Sequence, residues 1–355
     1  MQIYKKILLL VTVIITTIII VRLLRRRAEI KNPKNEPPKE PMTNLISMMN
    51  TTNMNLSLNQ YFVKSSWNSA YDYSKNIMDL AMLKTVLKRG CRFIDMEIYS
   101  IDKKPVVAFS SQPTNYNVIE SNNSLPLAEV LTMVNQTAFI SVPNPKDPLL
   151  IQMRFKSELW EMYHNVPDII QKSIGNGVYI AGPETTYASI HHSQLSLFAG
   201  KVILILDIVN SSPTLQKYIQ DNTDRSKNFN KYFADRTTND YSGIYSIPNT
   251  QLLQAQTAPP TIKENIYVQY TNKTGNEKQM QESHPDISTS SKIANITDPS
   301  PFIRDYGINI LPYRFYMDDT GLTNYEELFS KNGNVAFLPM STLLLYLKNR
   351  KIVST

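Results

Sequence analysis

The chain has 355 residues, of which 42% are hydrophobic and 19% are charged, and its formal net charge is +7. This length accommodates one large domain or two ordinary ones, including a single α/β barrel of about 250 residues with extensions. Residues 1–40 hold nine Lys or Arg and three Glu, a net charge of +6, so the rest of the chain is almost neutral. A nearly neutral main domain argues against nucleic-acid binding.

The amino-terminal segment has the pattern of a membrane anchor. Residues 7–24 are apolar or Thr, apart from Arg22, whose guanidinium can reach the interface from a spanning helix. The run is followed by basic residues instead of the small residues of a cleavage site, so we expect an uncleaved anchor over residues 1–27. The basic residues on this side of the run are Arg22, Arg25, Arg26 and Arg27.

These arginines outnumber the two lysines before the run, so the positive-inside rule predicts a single-pass protein with its main domain on the cytosolic face. The lone Cys91 agrees, because a large lumenal domain more often carries disulfide pairs. The same arginines can contact anionic lipid. Residues 28–56 follow, rich in Pro and Asn without an apolar period, and they predict an extended tether.

From residue 57 to residue 355, short β-rich runs alternate with amphipathic helices. The predicted strands are Gln60–Val63, Arg92–Tyr99, Pro105–Ala108, Leu149–Phe155, Val202–Ile208, Ile266–Tyr270 and Ile308–Tyr316. The predicted helices are one with Leu80, Leu83 and Leu87 on one stripe, one from Ser124 to about Val134, and one that begins at the capping box Thr323-Asn-Tyr-Glu326. Polar stretches at 210–262 and 271–300 predict insertions or long loops. This alternation predicts a parallel sheet covered by helices, either closed as a barrel or doubly wound.

Three segments carry the most specific pattern in the chain. They are Gln60–Tyr71 (QYFVKSSWNSAY), Leu87–Tyr99 (LKRGCRFIDMEIY) and Lys104–Phe109 (KPVVAF). In this order and at this spacing they resemble the X half of the phosphoinositide-specific phospholipase C catalytic domain. Residues 306–329 resemble the closing strand and helix of the Y half. The resemblance implies a distorted (β/α)8 TIM barrel with its site at the carboxyl ends of the strands.

The same resemblance implies a mechanism and the positions that would carry it. In the family, one His takes the proton of the inositol 2-hydroxyl and a second His protonates the departing glycerol oxygen, with a calcium ion to stabilise charge. Trp67 and Phe109 stand at the positions of these two histidines. An indole N–H does not titrate and a phenyl ring has no proton to give, so neither can replace a His. These two aromatic residues either fill a disused pocket or form an apolar floor for a ligand.

The family's calcium ligands are an Asn, a Glu, an Asp and a further Glu. The positions that resemble them hold Asn68, Asp95, Glu97 and Arg154. Ile205 and Asp207 stand where the family has substrate-phosphate lysines. We therefore expect no catalysis, no metal and no other cofactor. We also predict that the guanidinium of Arg154 takes the place of calcium and pairs with Asp95 or Glu97; the alternative is that Arg154 points to solvent.

The predicted function is that of a membrane-anchored, catalytically inactive phospholipase C-like protein that acts as a structural or binding scaffold. Its expected partners are a bilayer, through residues 7–24, another protein at the membrane face, and possible lipid headgroups. A composition rich in Ile, Asn, Lys and Tyr fits a viral membrane or virion component. The alternative function is a divergent phosphodiesterase with substitute catalytic groups, which would depend on calcium.

Overall fold

The computed structural model describes residues 52–110, 116, 118–180, 190, 192–208, 210–221, 228–238, 244–246, 266–268, 295, 297–304 and 307–353. All of them lie in one unit, Met49–Thr355. The predicted anchor at 1–27, and nearly all of the predicted tether, lie outside the described residues. No described helix is both long enough and apolar enough to span a bilayer.

The described part of the chain contains thirteen strands and seven α-helices. The strands are β1 (Tyr61–Val63), β2 (Ser65–Ser66), β3 (Tyr71–Asp72), β4 (Ile77–Met78), β5 (Phe93–Ile101), β6 (Lys104–Ala108), β7 (Leu125–Pro126), β8 (Leu149–Phe155), β9 (Val202–Asp207), β10 (Phe233–Thr238), β11 (Ile244–Ser246), β12 (Ile266–Val268) and β13 (Phe337–Pro339). The helices are α1 (Leu80–Lys88), α2 (Leu127–Thr137), α3 (Trp160–Ser173), α4 (Pro213–Asp221), α5 (Ser300–Arg304), α6 (Thr320–Ser330) and α7 (Met340–Val353). Short 3-10 turns lie at Leu58–Gln60, Gly175–Gly177, Leu195–Phe198 and Asn228–Lys231.

A mixed sheet of nine strands forms the centre of the fold. Its parallel part runs β2, β5, β8, β9, β10, β11, β12, and the antiparallel strands β6 and β7 follow on from β5. Parallel bridges from Val63 to Ile310 and from Ser66 to Tyr313 continue the sheet past β2. Among the described residues, no pairing joins β12 to the segment that contains Ile310 and Tyr313. The fold is therefore an α/β fold with a mixed sheet, and closure into a barrel is not seen in this part of the chain.

Alternate residues of the central strands face two different environments. On β8, Leu149, Ile151 and Met153 pack in the main hydrophobic core, which also takes the buried faces of α1, α2 and α3. The opposite face, which we call the inner face, begins with a second apolar cluster that includes Leu150 and Ile203. Because side chains two apart on a strand point the same way, the inner face continues as polar residues toward the carboxyl ends of β5, β8 and β9.

Most predicted elements are present, and Leu149–Phe155 has the predicted bounds. The predicted strand Ile308–Tyr316 is wrong as a continuous strand: only isolated bridges at Ile310 and Tyr313 form. Pro312, in its middle, has no backbone N–H to donate to a ladder.

The predicted capping box at Thr323 is also wrong. Helix α6 begins at Thr320, and the side chain of Asp319 caps it by accepting a hydrogen bond from the Leu322 N–H at 2.8 Å. Thr323 lies inside the first turn, where its hydroxyl donates to the Asp319 carbonyl at 3.1 Å. The polar stretch 210–262 is not loop throughout, since α4, β10 and β11 lie within it.

Candidate functional site

The guanidinium of Arg154 lies at the centre of a buried polar cluster on the inner face. Its Nε donates to Asp95 Oδ1 at 2.8 Å, and its Nη2 donates to Asp95 Oδ2 at 2.6 Å and to Asn68 Oδ1 at 2.8 Å. Its Nη1 donates to Glu97 Oε1. The predicted internal ion pair is therefore present, and it includes both carboxylates. We call these four residues the Arg154 cluster.

The cluster is almost completely removed from solvent. The exposed fraction is 0% for Asp95, 1% for Asn68, and 2% for both Glu97 and Arg154. Burial raises the pKa of the Asp95 carboxyl, and the two-point contact with Arg154 opposes that rise. A buried ion pair of this kind adds little net stability, but the loss of one partner is costly because it leaves a buried charge without compensation.

The strand register explains why these side chains meet. Asp95 and Glu97 are two apart on β5 and so point the same way, and Arg154 on β8 is the direct neighbour of Glu97 across the parallel ladder. Asn68 enters from the loop after β2 with a positive φ of 41°, a conformation that Asn tolerates better than most residues. Its backbone N–H donates to Asp95 Oδ2 at 3.1 Å, which fixes the loop to β5.

The second oxygen of Glu97 is also occupied. Oε2 accepts the hydroxyl of Tyr99 at 3.1 Å and the backbone N–H of Ser110 at 3.1 Å. Burial, together with the nearby Glu97 carboxylate, raises the pKa of the Tyr99 hydroxyl, which keeps it a hydrogen-bond donor. Both oxygens of Glu97 thus accept hydrogen bonds from groups of this chain.

Trp67 covers the cluster with its indole ring, and Phe109 stacks within a separate group of aromatic side chains. The ring centroid of Trp67 lies 3.8 Å from the guanidinium carbon of Arg154, a cation–π contact, and Trp67 is 7% exposed. Phe109 stacks on Tyr71 with 4.0 Å between ring centroids, and Tyr316 meets Tyr71 edge-on at 5.1 Å. Burial raises the pKa of Tyr71 to about 12. None of these groups is a proton acceptor near neutral pH.

Residues 54–206 match the sequence model of the family described as phosphatidylinositol-specific phospholipase C, X domain. This segment belongs to that family. The crystal structure of PLC21 from L. pealei is similar, with a TM-score of 0.57 and 13% identity, over 81% of this chain and 38% of that chain. For PLC21 from S. officinalis the TM-score is 0.56 and the identity 11%, over 82% of this chain and 38% of that one.

At these identities the similarity to the two structures is one of fold alone. The chain also spans only 38% of the length of either PLC21 chain. No curated protein matches this chain in sequence.

The residues at the positions that resemble the family's calcium ligands do not fit a calcium ion. Calcium takes roughly six to eight oxygen ligands at about 2.3–2.6 Å. Here the oxygens of Asn68, Asp95 and Glu97 converge on the guanidinium of Arg154, a cation that already occupies the point between them. Among the described residues, no group of three or more His, Cys, Asp or Glu side chains is placed to hold a metal.

The two positions that resemble the phospholipase's phosphate lysines lie on β9 and carry no cation. Ile205 is fully buried in the apolar cluster of the inner face. The buried Asp207 accepts hydrogen bonds from Gln152 Nε2 at 2.8 Å, from Asn210 Nδ2 at 2.8 Å and from the Asn210 N–H at 3.0 Å. The predicted membrane-surface arginines, Arg22, Arg25, Arg26 and Arg27, lie outside the described residues.

Sequence reasoning missed three residues of this region: Gln152, Lys156 and Asn210. Lys156 is 1% exposed, and its Nζ donates to the Asn210 carbonyl at 2.5 Å. The two-residue period of β8 could have identified Gln152 and Lys156. Both are two residues from Arg154, Lys156 directly follows the strand, and side chains two apart on a strand share a face. Asn210 follows β9 in a loop, where no period marks it.

Proposed function

We propose that this phospholipase C-like chain is catalytically inactive and works as a binding or structural scaffold at a membrane. The single observation that carries the proposal is the guanidinium of Arg154, which takes the oxygen ligands of Asn68, Asp95 and Glu97. With those oxygens engaged, these three residues cannot also hold the calcium ion on which the family's chemistry depends.

The neighbouring residues support the same proposal. Trp67 and Phe109 stand where the family has its proton-transferring histidines, and both are packed against other side chains. Loss of a general acid or base typically costs about 10²–10⁴ in rate, so loss of both is severe. Arg154 does not replace calcium as an electrophile for substrate, since it is 2% exposed and lies under the indole of Trp67.

The test is an assay of the full-length chain on phosphatidylinositol and on phosphorylated phosphoinositides, with calcium and with a chelator. We expect no release of inositol phosphate above the protein-free control, even at high protein concentration. Release that depends on calcium would instead establish the alternative, a divergent phosphodiesterase, and would end the proposal. A calorimetric titration of calcium into the same protein is expected to give no binding heat.

Membrane attachment is a separate part of the proposal and is supported by the sequence of the amino terminus. Residues 7–24 form the apolar run, and Arg22 and Arg25 to Arg27 favour a main domain on the cytosolic face under the positive-inside rule. A viral membrane or virion is the setting that the composition favours. We expect the chain to stay in the membrane pellet after carbonate extraction, and its main domain to be digested by protease added to the cytosolic side of sealed vesicles. Protection from that protease would reverse the orientation.

The scaffold's partner is then another protein at the membrane face or a lipid headgroup. Co-purification of a defined protein with the full-length chain supports the first. For a lipid headgroup, the anchor is embedded in a neutral nanodisc, and binding of the main domain to added vesicles is measured. Stronger binding to anionic vesicles than to neutral vesicles supports a lipid headgroup as the partner. Neither result depends on turnover, so both remain informative if the activity assay is negative.

A further inference from the structure

A cleft of about 500 Å³ lies between α5, α6 and α7, and none of its lining residues belongs to the Arg154 cluster. Three charged side chains line it: Arg304 at the end of α5, Arg350 near the end of α7, and Asp298 just before α5. Two guanidinium groups against one carboxylate give the lining a net charge of +1. The cleft therefore favours an anion.

The polar groups around the two arginines suit the same kind of ligand. Thr297 and Ser300 bring hydroxyl groups to the lining. The Asp298 carboxylate accepts the Ser300 N–H at 2.9 Å, so it caps the start of α5. Asn324 on α6 donates from Nδ2 to the Thr297 carbonyl at 2.9 Å, which ties the wall of the cleft to a regular helix. Guanidinium and hydroxyl groups are donors that recognise phosphate oxygens.

The volume of the cleft indicates an organic ligand, which is larger than an inorganic phosphate. Pockets for small organic ligands usually measure about 300–1,000 Å³, and a volume of about 500 Å³ is far larger than one inorganic phosphate needs. Leu347 also lines the cleft and is 4% exposed, so the site has an apolar contact for the organic part of a ligand. We propose that this cleft binds a small organic phosphate through Arg304 and Arg350.

The phosphate group can come from a free phosphomonoester or from a lipid headgroup. Leu344 on α7 lies three residues before Leu347, on the same side of the helix, and leaves 39% of its surface exposed. The chemistry recognised by the arginines is the same for both sources. The inference does not rest on the proposed function, because the cleft includes neither the inner face nor the anchor, and glycerol 3-phosphate can be titrated whether or not the chain is embedded in a bilayer.

The test is a calorimetric titration of glycerol 3-phosphate into the full-length chain with phosphatidylcholine nanodiscs present. We expect binding that weakens at least about tenfold when Arg304→Gln and Arg350→Gln are combined, since two charge-assisted contacts are lost. The matched control is Lys348→Gln, which removes one positive charge from the exposed side of α7 without touching the cleft. The control is expected to bind within about twofold of the unchanged chain.

A second set of nanodiscs, with phosphatidylglycerol, distinguishes a lipid headgroup from a free phosphomonoester as the ligand. If a lipid headgroup is the ligand, nanodiscs that contain phosphatidylglycerol will compete with glycerol 3-phosphate and weaken its binding; equal binding in both discs identifies a free phosphate. Absence of binding heat overturns the proposal, and so does an equal loss in the double variant and in Lys348→Gln, which would indicate general charge attraction. All three substituted side chains are exposed, so near-ultraviolet circular dichroism should confirm that the variants are folded.

Discussion

Two clusters of three charged side chains in this domain have opposite compositions and different surroundings. The Arg154 cluster sets one cation against two carboxylates, all at most 3% exposed as side chains. The second, which we call the Glu326 cluster, sets Glu326 on α6 against two cations, Lys64 and Arg89, with side chains 8–27% exposed. The comparison teaches that similar ion pairs have different roles in the fold: one neutralises two carboxylates inside it, and the other joins two helices.

The Glu326 cluster behaves as a connector. Lys64 Nζ lies 3.0 Å from Glu326 Oε1 and donates to the Arg89 carbonyl at 2.6 Å, which links the end of α1 to α6. The guanidinium carbon of Arg89 also lies 4.9 Å from the ring centroid of Phe315. Because water reaches part of this cluster, each of its charges keeps some hydration, and removal of one partner should be tolerated better than in the Arg154 cluster.

The largest effect is expected from Arg154→Met. This change leaves the carboxylates of Asp95 and Glu97 buried without a cation, and it should lower the free energy of unfolding by about 3–5 kcal/mol. Urea denaturation monitored by circular dichroism measures the loss. The control is the triple variant Arg154→Met, Asp95→Asn, Glu97→Gln, which removes every charge and should recover most of the lost stability. A loss of less than about 1 kcal/mol in the single variant would show that the cluster behaves like a surface pair.

A charge reversal at the same position tests whether the arginine stands in for a metal. Arg154→Glu places three carboxylates and Asn68 around one point, so the variant should be unstable alone and should be stabilised by calcium. At a free calcium concentration of about one hundred times the dissociation constant, the gain is about 2.7 kcal/mol. Thermal unfolding with and without calcium measures it, with the unchanged chain as control. If calcium fails to raise the melting temperature of the variant, the oxygens are not arranged around a metal position.

A smaller effect is expected in the partly exposed cluster. Glu326→Gln removes the carboxylate shared by Lys64 and Arg89, and it should lower the free energy of unfolding by about 1–2 kcal/mol, between the values for exposed and buried pairs. Urea denaturation under the conditions used for Arg154→Met gives a direct comparison. A loss equal to that of Arg154→Met would remove the contrast between the two clusters.

The smallest expected effect is on the pH dependence of the free energy of unfolding at acid pH. Burial alone would raise the pKa of Glu326, but Lys64 and Arg89 hold it below its ordinary value of 4.5. The carboxylate therefore contributes stability above pH 4.5, and this contribution is lost as the pH falls further. We expect the free energy of unfolding of Glu326→Gln to decline less steeply below that pH than that of the unchanged chain. Parallel curves for the two proteins would assign the acid dependence to other groups.

Sequence reasoning succeeded where one face of a strand is fixed by burial. The run Leu149–Phe155 is apolar enough to define a strand, and its two-residue period places Arg154 on the face of Asp95 and Glu97. The ion pair could therefore be predicted once the segments were aligned with a known family. The resemblance to that family also located Trp67, although it did not predict the cation–π contact of its indole with the guanidinium of Arg154.

The failures lie where local signals compete or where no periodic signal exists. Two candidate caps lie four residues apart in Asp319 and Thr323, and the Asp side chain is the better acceptor for the first turn of α6. Pro312 interrupts a run that otherwise has the composition of a strand. The contacts of Asn210 with Asp207 and Lys156 arise in a loop, where neither helical nor strand periodicity applies.

The contact of Trp67 with Arg154 also gives the domain a built-in optical reporter. The chain has two tryptophans, and the other one, Trp160 on α3, lies edge-on to Tyr218 on α4, in a different part of the molecule. A Trp160→Phe chain therefore emits from the inner face alone, and its emission is set by a cation 3.8 Å from the indole ring. The charge state and the integrity of the site can be followed by fluorescence, without any ligand or added dye.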